Sequence, residues 1–279
     1  MGGRGGSLRG SQGVSVTRTA SRPRQQARPQ PAQRQQAQAT SVSPQALAAQ
    51  IAGDPGAILR MADDQAVSAL DFIRKNTDTS SRYGTQQDTD TQRFINFIGW
   101  GDTMPEVISE SAFDRRVKAQ KATTYYHADG DRGRRKGSDF NDQLMYGPNY
   151  LSGGIHGDGT YVASDARDSA GYGTSQVKMI FNKNAKIISE NDLGVKTAKL
   201  YRTMPKTMKA IEKMSSGYSS GAYGGNKYAV KTFVAAICGY NVIAASGTHK
   251  YAGYHAVMDK SVLTIASVKK DTKSVYKNW

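Results

Sequence analysis

From Thr123 onward the chain alternates short β-rich runs with helical stretches in no regular order, and this constrains its fold more than any other feature. "TTYYH", "TYVA", "VKMIFN", "KIIS", "NVIAA", "YHAVMD" and "VLTIAS" read as strands. "TMPKTMKAIEKMSS" and "KYAVKTFVAAIC" carry helical periodicity, and Gly239 stops the second of them. A regular strand-helix alternation would predict a parallel α/β sheet. Irregular insertion of helices among many strands predicts an α+β fold instead.

Upstream, the signals are helical. Asp54-Pro55 is an N-cap followed by proline at the first helical position. Ile58, Leu59, Ala62, Ala66, Leu70 and Ile73 then recur at helical spacing, which predicts one helix to about Lys75. Phe94, Ile95 and Ile98 predict a second helix ending at Gly99. "PEVISESAFDRRVKAQ" predicts one or two short helices, with Ser109 as a cap.

Residues 1–45 contain seven arginines, no acid and no aromatic, among many Gly, Gln, Ser and Pro. Such a segment has too little apolar surface to offset its ordering entropy and reads as a disordered tail. The domain reading is therefore a tail over 1–45, a helical region over 46–120 and a mixed domain over 121–279. The tail supplies seven of the fifteen net positive charges. That balance predicts non-specific attraction to nucleic acid or another polyanion through counterion release. Cys238 is the only cysteine, so an internal disulfide and a cysteine-rich zinc site are excluded. Four scattered histidines predict no metal site. No run approaches the roughly 20 apolar residues that span a bilayer.

Three segments carry the chemistry: "TTYYHAD" (123–129), "GDGTYVASDARDSAGY" (157–172) and "GYHAVMDKSVLTI" (253–265). In this order they resemble the catalytic core of the ADP-ribosyltransferase family, in the histidine-tyrosine-glutamate branch that includes diphtheria toxin and the poly-ADP-ribose polymerases. Gly157, Gly159, Tyr161, Ala163, Ser169, Ala170 and Tyr172 match the family's glycine-x-glycine, strand tyrosine and serine-alanine-x-tyrosine helix. The resemblance covers about residues 121–267. It implies a split antiparallel β-sandwich of ADP-ribosyltransferase type, with NAD as substrate.

The chemistry so implied makes its own demands. Breaking the bond between nicotinamide and ribose builds positive charge on the sugar, as in glycoside hydrolysis. The site must hold a flat ring, fix the sugar hydroxyls and stabilise the growing charge. Aromatic faces such as Tyr161 and Tyr172 can stack on the ring. Glycines beside them let backbone approach the ligand closely. The resemblance gives His127 the ribose hydroxyl and the carboxamide, and assigns Ala128, Gly159 and Ser169 to the cofactor. Arg134, within the basic group Arg132, Arg134 and Arg135, is a pyrophosphate candidate. His249 and Lys250 fall where the family recognises its acceptor.

The third segment departs from the family. Tyr254 stands at the glutamate position, with His255 beside it, and neither carries negative charge at neutral pH. Tyr254 keeps a hydroxyl that can bond ribose, while Asp259 or Glu190 would supply charge if the fold brought them near. Family branches lacking the glutamate tend toward mono-transfer or inactivity. The expectation is thus mono-ADP-ribosyl transfer, or NAD hydrolysis, by a toxin-like phage or bacterial effector. Its acceptor is a protein or nucleic acid, and its place is the cytoplasm, a host cytoplasm or a virion. The alternative is a non-catalytic, nucleic-acid-associated or virion-type structural protein that keeps the fold. A rival alignment sets Arg202 and the serines of "SSGYSSGAYGG" against the arginine-serine-glutamate branch. Proline and helical periodicity after Arg202 oppose it.

Overall fold

The computed structural model describes residues 42–78, 90–129, 144–146, 159–170, 175–215, 226–245 and 253–267. The 1–41 segment lies outside them, and the disordered-tail expectation for it does too; the end expected for that tail, at 45, is corrected, because Ser43 caps a helix that begins at Pro44. All described residues belong to one compact unit, 42–279. It is α+β: an eight-stranded mixed sheet packed with helices.

The chain begins with α1 (Pro44–Ile51), capped by the Ser43 hydroxyl, which accepts from the Ala46 N–H at 3.2 Å. The single helix expected from Pro55 to Lys75 is broken. Pro55–Arg60 is a 3-10 turn closed by Asp54, whose carboxylate accepts from the Gly56 N–H and the Arg60 guanidinium. α2 (Asp63–Asn76) then starts afresh, with two aspartates in its first turn and the Gln65 side chain accepting from the Ala62 N–H. α3 (Asp90–Phe97) ends as expected, at a Gly99 with φ of +85°. Glu106–Ile108 is not helical: it is strand β1, followed by α4 (Glu110–Gln120) with Ser109 as its cap.

The remaining elements are β2 (Tyr125–Asp129), β3 (Thr160–Ala163), α5 (Ala166–Ala170), β4 (Ser175–Phe181) and β5 (Ile187–Ser189). They continue with α6 (Glu190–Thr203), α7 (Pro205–Ser215), α8 (Asn226–Ile237), β6 (Val242–Ala244), β7 (Tyr254–Val257) and β8 (Leu263–Ala266). The strand order is β1-β8-β4-β2-β3-β7-β6-β5, with parallel pairs at the two edges and antiparallel pairs between them. Among the described residues, no helix is long and apolar enough to cross a membrane.

One sheet face lies against helices. Ile188, Ile243 and Ala256 join Leu70, Phe94, Met208, Ile211 and Phe233 in the larger core, so α2, α3, α7 and α8 share it with the strands. The other face carries Val162, Val177, Met179, Val257 and Ile265, covered in part by Leu144 and Met145. Among the described residues of 46–120, those from Leu47 to Ile98 are built into the same core as the sheet.

A polar tie fixes α7 to α2. The Asp63 carboxylate accepts from the Lys206 N–H at 2.9 Å, the Thr207 N–H at 2.8 Å and the Thr207 hydroxyl at 2.6 Å. Burial pushes the Asp63 carboxyl up, but these hydrogen bonds outweigh it and hold it below the ordinary value. Asp63→Ala is expected to lower the urea unfolding free energy by about 1–2 kcal/mol, as for loss of a helix cap. Because the folded carboxyl is the stronger acid, this contribution is intact at neutral pH and fades as the pH falls below about 4. A wild-type and variant pair with equal stability at pH 7 would refute the tie.

Candidate functional site

The topology makes neighbours of the three segments singled out in the sequence. β2 carries His127 and Ala128, β3 carries Tyr161, and β7 begins with Tyr254; these strands are adjacent in the order β2-β3-β7. β3 and β7 pair throughout, from Thr160↔Val257 to Ala163↔Tyr254. β2 and β3 meet only at Tyr126↔Ala163. Beyond that pair, His127 Nδ1 lies 2.6 Å from the Tyr161 carbonyl oxygen. A carbonyl only accepts, so Nδ1 carries the proton. An imidazole thus stands where a backbone ladder bond would otherwise continue.

Register decides which way each side chain faces, because strand side chains alternate and directly opposed residues share a face. Tyr126, Ala163 and Tyr254 fall in one row, so Tyr161, two residues from Ala163, faces the same side. Tyr161 accordingly packs against the larger, helix-bearing core. His127 opposes Val177 and faces the other side, with Tyr125 and His255. The sequence reading grouped His127 and Tyr161 around one ring. The pleat sets them on opposite faces and joins them through backbone.

Tyr254 is buried, and its hydroxyl donates to the Asp168 carbonyl at 2.8 Å. Ser169 is buried in α5; its hydroxyl donates to the Ala166 carbonyl at 3.1 Å and accepts from Gln176 Nε2 at 2.7 Å. Gly159 has a strand-packing reason to be glycine, since a Cβ there would lie 2.9 Å from the Val257 carbonyl oxygen. Tyr172 and Arg134 lie outside the described residues, as do Gly157, Arg132, Arg135, His249 and Lys250.

Each acid proposed to replace the missing glutamate has a polar partner of its own. Asp259 accepts from the Ser261 N–H at 2.9 Å and caps the turn Lys260–Val262. Glu190 opens α6 and pairs with Lys231 of α8 at 2.5 Å. A cleft of about 640 Å³ is lined there by Glu190, Leu193, Tyr201, Glu212 and Lys231, apart from the motif strands. In it Tyr201 donates to Glu212 at 2.5 Å, and burial with that bond pushes its phenol up to about 12. Arg202 sits in the last turn of α6. That overturns the rival alignment, which needs this arginine on a strand.

Gln176 was missed from sequence, and His255 was named only as the neighbour of Tyr254. Gln176 touches α5, and its only sequence mark is a polar residue near the start of a β-rich run. His255 makes an edge contact with Tyr125 at 4.9 Å, and burial pushes its imidazole below the ordinary value. No family model matches the chain, and neither a curated protein nor a solved structure matches it.

Proposed function

We propose that this protein is an ADP-ribosyltransferase-type domain that binds NAD where β2 and β3 part, and transfers single ADP-ribose groups to a macromolecular acceptor. One observation carries the reading. Segments that lie about 30 and 90 residues apart in the sequence form adjacent strands in the order β2-β3-β7, and the central pair is held by a histidine side chain in place of continued backbone pairing. A sheet that opens at one seam supports the split β-sandwich that the resemblance implies. Crevices between diverging strands are where ligands meet backbone donors without displacing ladder bonds.

The reaction asked of the site is loss of nicotinamide from ribose, with positive charge developing on the sugar. In this reading the His127 ring, oriented by its Nδ1–H bond to the Tyr161 carbonyl, is the side chain that addresses NAD at the seam. The basic tail, with no acid among its 45 residues, holds the domain near nucleic acid or its bound proteins, and the acceptor comes from these.

A second reading has its own observation. The residue at the glutamate position is a tyrosine whose hydroxyl is already donated to Asp168, and loss of one preorganised electrostatic group costs on the order of a hundred- to thousandfold in rate. That favours a domain that binds NAD and turns it over very slowly, or only binds it.

Calorimetric titration with NAD, paired with an assay of nicotinamide release, decides between them. His127→Ala is expected to weaken NAD binding about tenfold, the loss of roughly one hydrogen bond to a ligand. Binding with no nicotinamide released leaves the second reading. No heat and no nicotinamide from the wild-type chain would overturn both.

A further inference from the structure

α5 is only five residues long, too short to be stable by itself, yet it carries Ser169 and leads toward Tyr172. It packs against β2, β3 and β4, across the β2–β3 seam, where the two strands share a single register pair. Two side chains from opposite sides of that seam hold it. Gln176 comes from β4, where it opposes Ala128 and so shares a sheet face with Tyr126 and Tyr254. Its Nε2 donates both to the Ala166 carbonyl at 2.6 Å and to the Ser169 hydroxyl at 2.7 Å. Tyr254 comes from β7, and its hydroxyl donates to the Asp168 carbonyl at 2.8 Å.

We infer that Gln176 and Tyr254 are a pair of positioning residues that clamp α5 across the β2–β3 seam, and that the clamp sets how tightly NAD is held. The inference rests on the function proposed above for its NAD term, and on the hydrogen bonds alone for the clamp. It gives Tyr254 a task unlike that of a glutamate: a carboxylate at this place could not donate to the Asp168 carbonyl, whereas a phenol can. The two anchors lie on strands separated by β2 and β3, so α5 follows neither half of the sheet independently. Short helices tied at one end only fray, and a frayed α5 would leave Ser169 in many orientations.

The test uses the full chain with the variants Gln176→Ala, Tyr254→Phe and the double variant. Hydrogen exchange followed by mass spectrometry reads peptides spanning 166–170, and calorimetry reads NAD. Each single variant is expected to lose at least tenfold in exchange protection over 166–170, with protection in α8 unchanged. The dissociation constant for NAD is expected to rise about tenfold, with stoichiometry still one to one. A merely structural role would show the opposite split, fewer competent molecules with an unchanged dissociation constant, and would overturn the NAD term. Gln176→Glu removes both donated bonds while keeping the side chain's length, and should behave like the alanine variant; wild-type protection in it would overturn the clamp. If wild-type protein gives no heat with NAD, the proposed function fails and the NAD term with it, while exchange still decides the clamp.

Discussion

Phe233→Ala is expected to lower the unfolding free energy by about 3–5 kcal/mol, the range for truncating a buried phenylalanine. Phe233 lies on α8 with no exposed surface, and its ring stacks on Phe94 of α3 with centroids 4.7 Å apart. Around it the larger core joins α1, α2, α3, α7 and one face of the sheet, so surrounding atoms are held from several directions and cannot collapse into the space left behind. Most of the cavity would persist, which puts the loss near the top of the range. Val195, 71% exposed on α6, is the control, and Val195→Ala should change stability by less than about 0.5 kcal/mol. A loss at Phe233 below about 1 kcal/mol would mean that α3 and α8 do not share a core.

The second large effect depends on pH. Lys260 is fully buried beside the second core, and its ammonium donates to the Leu144 carbonyl at 3.2 Å. Burial pulls its pKa down to about 7, against about 10.4 in an unfolded chain. Between those values the unfolded chain holds a proton that the folded chain has released, so raising the pH favours folding. The slope approaches about 1.4 kcal/mol per pH unit, and the gain from pH 7 to pH 10 is about 3–5 kcal/mol. Urea unfolding at pH 7, 8, 9 and 10 should show this rise in wild-type protein relative to Lys260→Met, which removes the titrating group while keeping the chain's bulk. Parallel profiles for the two proteins would show that the ammonium is hydrated in the folded state.

The strands from Tyr125 onward were legible because each is a short β-rich run bounded by turn residues, a local property. β1 was not: Glu106–Ile108 is a strand only because β8 lies beside it, and three residues cannot display a period. α1 shows a signal present but unused, since Ser43-Pro44 opens that helix with the same cap-then-proline logic that marked Asp54-Pro55. At Asp54-Pro55 the apolar spacing itself misled. It runs through Leu59 and Ala62 without a break, whereas Leu59 is exposed and Ala62 is extended backbone ahead of α2. Ser189 likewise caps α6, a helix whose polar surface and glycine at 194 hid its period.

For the site, the motif segments were visible as residue patterns, and their adjacency is now a matter of topology. What no local pattern held is the direction each side chain faces. A one-residue difference in register exchanges the two faces of a strand, and register is set by partners far away in sequence. Tyr254 was read at the glutamate position, with His255 as its uncharged neighbour. The pleat gives one to α5 and the other to Tyr125 and Phe181 on the opposite side.

The parallel pairing of β1 with β8 sets the timing of assembly. The Thr264 hydroxyl donates to the Glu106 carboxylate at 2.9 Å across 158 positions of sequence, so β1 has no partner until the last described strand has been made. At ordinary elongation rates that interval is on the order of ten to thirty seconds. Through it the apolar sides of α1, α2 and α3 also wait for α8. Such non-local closure slows folding, because the entropy of closing the intervening chain opposes the β1–β8 pairing until its contacts form.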